Sequence, residues 1–381
     1  MVRRHAENEL RQLAGHYKVV AVMGPRQSGK TTLVKTVFPD KPYFSLENPD
    51  VWDWVNENPR GFLQQIQTGA IIDEVQRYPK LLSYLQQVVD ESNEKGRFIF
   101  TGSNHLLLSE GITQTLAGRT AYMELLPFEW SEIQDINTEW DNNDWICNGF
   151  YPPIHDQKIP SYSWCRNYIK TYIERDIKLI KSIQDFHLFE KFMRVLAGRT
   201  GQELNYSQIA DEVGVDTKTA QSWVGILALG FVIHLLPPYH KNFNKTVVKR
   251  PRIYFWDTGI ACALLGIQNK DQLAFHPLRG ALFETMVVNE FVKKSAHSGR
   301  LDKYYFWRDK NQKEIDLIRE KGAQLIPIEI KSSETFHPSF SNAIKYWMKL
   351  AQVEEAQVIY GGQNLKQFFP GIQVLHWKDI T

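Results

Sequence analysis

The run Gly24-Pro25-Arg26-Gln27-Ser28-Gly29-Lys30-Thr31, followed by Thr32, has the spacing G-x-x-x-x-G-K-[ST]. Glycines at these places let backbone N–H groups turn inward around phosphate oxygens, and a helix starting there adds its positive end. Lys30 would then reach the β- and γ-phosphates, and the Thr31 hydroxyl would ligate magnesium. Downstream, AIIDE ends an apolar run with Asp73 and Glu74. Open parallel sheets place ligands at such strand ends, so Asp73 is expected to hold the same magnesium and Glu74 to orient or activate the attacking water. ATP and Mg2+ are the cofactors this chemistry calls for.

A third polar strand end, RFIFTGSN, offers Ser103 or Asn104 as a γ-phosphate sensor, or else a simple capping turn. Arg119, in LAGRT, could neutralise transition-state charge in cis or across a subunit interface. Arg26, inside the loop, is its rival for phosphate contact. Only geometry decides between the two.

Near the other end of the chain, EIDLI carries Asp316 and PIEIKSS carries Glu329 and Lys331. Residues two apart on a strand share a face, so Glu329 and Lys331 meet, and Asp316 on the adjacent strand would complete a metal pair with Glu329. Glu284, on a preceding helix, could add a carboxylate. Such a kit suits magnesium-assisted phosphodiester hydrolysis. A surface sheet with alternating charges would read the same way.

Between these sites, YSQIADEVGVDTKTAQSWVGILALGFV has helix-turn-helix organisation. Ser207 is expected to cap a helix with Ile209, Ala210 and Val213 inward, and Gly214 permits the turn. A second helix starting near Thr217 would face Ala220, Trp223 and Leu227 inward. Two strand-like runs follow, and Lys241, Lys245, Lys249, Arg250 and Arg252 on their connection suit phosphate contacts at the tip of a wing. The second helix bears Lys218 as its clear cation, so packing or dimerisation competes with DNA contact as its purpose.

The elements that would hold these groups fall into three stretches. Short apolar runs (KVVAVMG, PYFSL, AIIDEV, RFIFTGS, TAYMELLP) alternate with helical segments, the mark of a parallel sheet covered on both faces. Helices dominate from Tyr162 to Leu227, and a helix around 281–294 then leads to YYFWR, EIDLIRE and LIPIEIKS. A further helix, 340–350, precedes a last strand, AQVIYG. The expected fold class is α/β, with parts at residues 1–135, 136–265 and 266–381.

With 43% hydrophobic and 23% charged residues the composition is that of a globular protein, and a net charge of +2 neither demands nor excludes nucleic acid. Cys147, Cys165 and Cys262 lie at no metal-ligand or redox spacing, which points to a reducing cytoplasm. The segment MVRRHAENELRQL lacks a signal-peptide core, and the apolar stretch 225–236 falls short of the roughly 20 residues a bilayer requires. No membrane partner is expected.

Taken together, GPRQSGKTTL, AIIDEVQRYP, FTGSN, LAGRTAYMELLPF, NGFYP, YIKTYIERDI, YFWDTGIACALL and EIDLI with IEIKSS resemble a prokaryotic family of AAA+-related P-loop ATPases. In that family the ATPase is fused to a C-terminal domain of unknown function. The resemblance covers nearly the whole chain; NGFYP departs from it at a local turn, since the family tends to have two glycines there. It implies an N-terminal P-loop NTPase (AAA+-like) parallel sheet, a helical, winged-helix middle and a restriction-endonuclease-like C-terminal domain of PD-(D/E)xK type. By that match Lys30, Thr31, Asp73 and Glu74 carry the nucleotide site, and Asp316, Glu329 and Lys331 mark the nuclease-like core. Three functions fit: an ATP-driven switch on DNA, a regulatory ATPase whose inactive C-terminal part binds protein, or a metal-dependent nuclease gated by ATP. The expected partners are therefore ATP, DNA, and a protein partner or a second copy.

Overall fold

The computed structural model describes residues 2–103, 116–172, 183, 185–240, 249–300, 302–362 and 368–380. The chain forms two compact units. One is Met1–Phe128 with Leu229–Phe231 and Ala296–Arg300; the other is Glu129–Ala228, Val232–Ser295 and Leu301–Thr381.

In the first unit, helix α1 (Ala6–His16) precedes strand β1 (Val19–Met23), and α2 (Lys30–Val37) follows it. Next come β2 (Tyr43–Ser45), α3 (Pro49–Glu57), α4 (Pro59–Gln65), β3 (Ala70–Asp73), α5 (Lys80–Asp90), β4 (Phe98–Gly102) and β5 (Thr120–Glu124). The sheet runs β2-β3-β4-β1-β5 with every pair parallel. Every residue of β1 and of β4 is buried, which is why both read as unbroken apolar runs. From β1 the chain crosses to the far edge, works back through β3 and β4, then adds β5 on the other side. The order reverses at β1, so the crevice at the C-terminal strand ends is where a ligand belongs.

Ala6, Leu10 and Ala14, spaced by four, pack one face of α1 on Val20, Val22, Leu33, Val34, Ile71 and Ile99. Each fully buried Leu or Val there contributes about 1.5–3 kcal/mol. Asn48 and Asn58 cap α3 and α4 through their side chains, with proline at the first turn of each.

In the second unit come α6 (Asn142–Asn148), α7 (Pro152–Asp156), α8 (Ser161–Tyr172), α9 (Phe186–Ala197), α10 (Tyr206–Val213) and α11 (Thr217–Leu229). The cap of α10 is Asn205, whose side chain accepts from Gln208 N at 3.4 Å; Ser207, the expected cap, lies inside the helix. Gly214 closes α10 at φ 92°, and Asp216 accepts from Thr219 N at 2.9 Å to start α11. Ile209, Ala210, Val213, Ala220, Trp223 and Leu227 are buried as the spacing predicts, with Trp223 edge-on to Phe189 and Phe192 at 5.2 Å each.

Strands β6 (Ile233–Leu236) and β7 (Arg252–Phe255) pair antiparallel. Their connection, with Lys241 and Lys245, lies outside the described residues, while Lys249 and Arg250 are exposed. The expectation that Arg252 belongs to a basic tip is wrong. All four residues of β7 are buried, and the Arg252 side chain turns into the unit at 5% exposure.

The unit continues with α12 (Thr258–Leu265), α13 (Lys270–Ala274), α14 (Arg279–His297), β8 (Lys303–Arg308), β9 (Glu314–Lys321) and β10 (Gln324–Lys331). It ends with α15 (Asn342–Ala351), β11 (Ala356–Tyr360), β12 (Phe368–Phe369) and β13 (Ile372–His376). These six strands form one sheet in the order β12-β13-β11-β10-β9-β8, antiparallel from β8 to β10 and parallel from β10 to β11 and from β11 to β13. AQVIYG is therefore not the last strand. With two core positions, Ile372 and Val374, β13 is too short to announce itself by alternation. The three cysteines are buried free thiols, and among the described residues no helix is long and apolar enough to cross a membrane.

Candidate functional site

The phosphate-loop motif leaves the C-terminal end of β1. At Gly24, φ is 153° and a Cβ would stand 2.1 Å from Leu125 O, so no side chain fits. Gly29, at φ 95°, caps α2, so the helix begins at Lys30 and its uncommitted first-turn N–H groups start inside the motif. Lys30 Nζ spans the loop, donating to Gly24 O at 3.0 Å and Pro25 O at 2.7 Å. Ser28 is fully buried, and its Oγ has no hydrogen-bond partner.

Thr31 Oγ1 lies 3.2 Å from each carboxylate oxygen of Asp73. Asp73 also accepts the Tyr43 hydroxyl at 2.6 Å and the Thr101 hydroxyl. Hydroxyls from α2, β2 and β4 thus fix one carboxylate. Burial, and then the bond to Asp73, push the Tyr43 phenol pKa up, keeping it a donor. Thr31 and Asp73 present a hydroxyl and a carboxylate to each other, which is the oxygen donor set a magnesium ion takes. Those residues fit the ion.

Glu74 adopts a left-handed backbone, φ 54°, rare for a side chain other than Asn, Asp or Gly. Its N–H donates to Thr101 Oγ1 at 3.3 Å, and its Oε2 accepts from Ser103 Oγ at 3.0 Å and from Gln76 Nε2. Ser103 is therefore brought to Glu74, whereas Asn104 lies outside the described residues. Pro25 is buried, Gln27 takes a left-handed φ of 60°, and Thr32 is exposed on α2.

The two arginine candidates part company. Half-buried Arg26 faces Glu47 at 3.5 Å, and Glu47 also takes Arg77 at 2.9 Å. Arg119 precedes β5, whose first residue pairs with Val19 at the start of β1, while the loop follows Met23 at its end. That puts Arg119 roughly 16 Å from the loop, one strand length away at about 3.3 Å per residue. There it bonds Asp90, with Nη2 to Oδ2 at 2.9 Å. The structure does not bring it to the loop of its own copy.

In the second unit, Glu284 on α14, Asp316 on β9, and Glu329 and Lys331 on β10 do converge. Lys331 Nζ sits 2.5 Å from Glu329 Oε1 and 3.8 Å from Asp316 Oδ2, which also accepts Ile330 N at 2.9 Å. Sequence reasoning missed the cation in their midst. Arg252 Nη1 lies 3.4 Å from Glu284 Oε1 and 3.8 Å from Asp316 Oδ1, and Nη2 lies 2.8 Å from Glu314 Oε2. Tyr254 donates to Glu284 Oε1 at 2.6 Å.

Burial, then the charge of Asp316, push Glu284 up to about 7 and Glu329 up to about 8. Burial works against a charged Lys331, but Asp316 and Glu329 outweigh it and push its pKa up. The nuclease resemblance implies a divalent ion here. The residues present do not fit one, because two cations stand among the carboxylates: Arg252 faces one oxygen each of Glu284 and Asp316, and Lys331 faces Asp316 Oδ2 and Glu329 Oε1.

Residues 16–134 match the model of an AAA domain. Residues 139–271 and 279–380 match two domains of unknown function, DUF8612 and DUF4143. Residues 16–134 are a P-loop domain of the AAA type. Over 365 residues the chain is 29% identical to uncharacterized proteins of Mycobacterium tuberculosis and Mycobacterium bovis, covering 95% of this chain and 80% of each relative. Among solved structures it is similar to a Walker-type ATPase of Pyrococcus abyssi (14% identity, 68% of this chain and 94% of that one, TM-score 0.47). AMPPCP-bound DnaA from Aquifex aeolicus is another (13% identity, 58% and 84% covered, TM-score 0.29).

One residue that contacts the phosphate loop carried no sequence signal at all. Arg4, buried ahead of α1, donates to Ser28 O and to Leu126 O at 2.8 Å each, with its guanidinium 4.8 Å above the Phe128 ring. It ties the phosphate loop to the segment after β5. An arginine before an amphipathic helix belongs to no motif, so spacing could not single it out.

Proposed function

We propose that the chain binds MgATP at the Gly24–Thr31 loop, hydrolyses it, and uses nucleotide state as a switch acting on DNA. The observation that carries this reading is the convergence of Thr31, Asp73 and Glu74 beside the Lys30 loop at the strand ends. Lys30 would exchange its two loop carbonyls for β- and γ-phosphate oxygens. Thr31 and Asp73 would hold magnesium, which when bound neutralises charge on those oxygens. Glu74 would orient the attacking water, with Ser103 shared between its carboxylate and the γ-phosphate. Arg119, remote from its own loop, could act only on a second copy's nucleotide.

On this reading the chain works as three parts, residues 1–135, 136–265 and 266–381, with a winged-helix middle and a PD-(D/E)xK-like end. The pair α10–α11, with its Asp216-capped second helix, supports the DNA assignment. The presence of Arg252 among the carboxylates favours a second reading for the C-terminal part, in which it binds a protein and cuts nothing. ATP turnover measured with and without duplex DNA tests both. Turnover abolished by Lys30→Ala and stimulated by DNA is the expected result. Turnover indifferent to DNA would overturn the DNA switch in favour of a protein partner, and normal turnover in Lys30→Ala would end the nucleotide reading.

A further inference from the structure

Arg252 enters the carboxylate cluster from outside the strands that carry it. It is the first residue of β7, its backbone held by Leu236 of β6 on one side and bridged to Glu203 on the other. Its guanidinium lies 4.8 Å over the Phe306 ring of β8 and reaches Glu284 on α14 and Glu314 and Asp316 on β9. The side chain is 5% exposed, so it does not swing between solvent and cluster without β7 moving.

We propose that Arg252 is the resident counter-cation of this cluster and occupies the place where a nuclease of this architecture would hold a divalent ion. The two cations, Arg252 and Lys331, take the oxygens such an ion would use first. A divalent ion bound by Asp316 and Glu284 would need their oxygens at about 2.0–2.6 Å, on the side where Nη1 already stands 3.8 and 3.4 Å from them. The other oxygen of Asp316 takes a backbone N–H and faces Lys331, and Glu329 Oε1 is bound by the same lysine. Glu329 Oε2, buried and without a hydrogen-bond partner, stands outside these contacts. The cluster is an ionic lock that fastens β7 to α14 and β9. Metal-assisted hydrolysis does not occur there while β7 is in place. The inference is independent of the nucleotide reading, since none of its residues belongs to the phosphate-loop site.

Mn2+ binding to the full chain, followed by the loss of the free-ion electron paramagnetic resonance signal, tests it. The protein is nucleotide-free and carries Asp73→Asn, so that the phosphate-loop site contributes nothing. With Arg252 present, no Mn2+ site tighter than about 1 mM that Asp316→Asn removes is expected. Arg252→Met should create one at least about tenfold tighter, and adding Asp316→Asn should remove it. A tight Mn2+ site in the Arg252 protein that Asp316→Asn abolishes would overturn the proposal, with no need for Arg252→Met to fold. A folded Arg252→Met chain, judged by its cooperative melt, that gains no Mn2+ would overturn it as well. Failure of the ATPase assays would leave each of these outcomes unaffected.

Discussion

Tyr43 donates its hydroxyl to Asp73 Oδ2 over 2.6 Å, so a residue of the edge strand β2 orients the carboxylate at the end of β3. Lys35 stacks 3.4 Å above the same ring and holds it in place. A hydrogen bond to a charged acceptor contributes about 1.5–3 kcal/mol. Tyr43→Phe should therefore leave nucleotide binding intact and raise the Mg2+ concentration for half-maximal ATP turnover roughly tenfold or more. An unchanged Mg2+ requirement would mean that Thr31 and Thr101 suffice to orient Asp73.

Glu74 offers a sharper test of the water-activating role. Its carboxylate is already bonded to Ser103 and Gln76, so Glu74→Gln keeps the shape of the contacts while removing the charge. ATP binding should survive, and turnover should fall by about 10²–10⁴-fold, the usual contribution of a positioned general base. Equilibrium binding and single-turnover rates separate the two quantities. Normal turnover in Glu74→Gln would transfer the role to another residue.

These two cases show what a sequence can carry. Lys30, Thr31, Asp73 and Glu74 were legible because loop spacing and apolar runs are local, and the sheet then brings strand ends together by rule. Tyr43, Thr101 and Arg4 were not, since each reaches its partner across 24 residues or more by a side-chain contact that no local pattern encodes. Arg252 misled for a related reason. Its neighbours Lys249 and Arg250 are exposed, and only the burial of β7 reveals that the next arginine turns inward.

Arg4 makes two buried hydrogen bonds to backbone carbonyls, one of them on the phosphate loop. Arg4→Ala leaves both carbonyls without that donor and removes the packing on Phe128, a loss on the order of 2–4 kcal/mol. Arg4→Lys can reach one carbonyl at most and should fall between. Both variants should bind ATP more weakly than the parent under conditions where the domain is fully folded. A variant destabilised to denaturant yet unchanged in ATP affinity would make Arg4 a residue of the core alone.

Acid should weaken the second unit through two imidazoles, the buried His155 and the half-buried His234. His155 accepts from Asn137 Nδ2 through Nδ1 and donates from Nε2 to Gly149 O, and His234 donates to Asn289 Oδ1. Burial pushes both down to about 4 from the ordinary 6.5. Between those values the unfolded chain takes up protons that the folded chain refuses, so this contribution is complete above pH 6.5 and fades as pH falls towards 4. By pH 5 each histidine should cost about 2 kcal/mol of stability, at 1.36 kcal/mol per pH unit. Denaturation midpoints at pH 7.5 and 5 should differ accordingly, and His155→Asn should remove part of the difference. Nuclear magnetic resonance gives the direct reading: both imidazoles should stay neutral in the folded chain down to about pH 5. If either titrates near 6.5 while the chain is folded, its burial does not set its charge, and the acid sensitivity must come from the carboxylates.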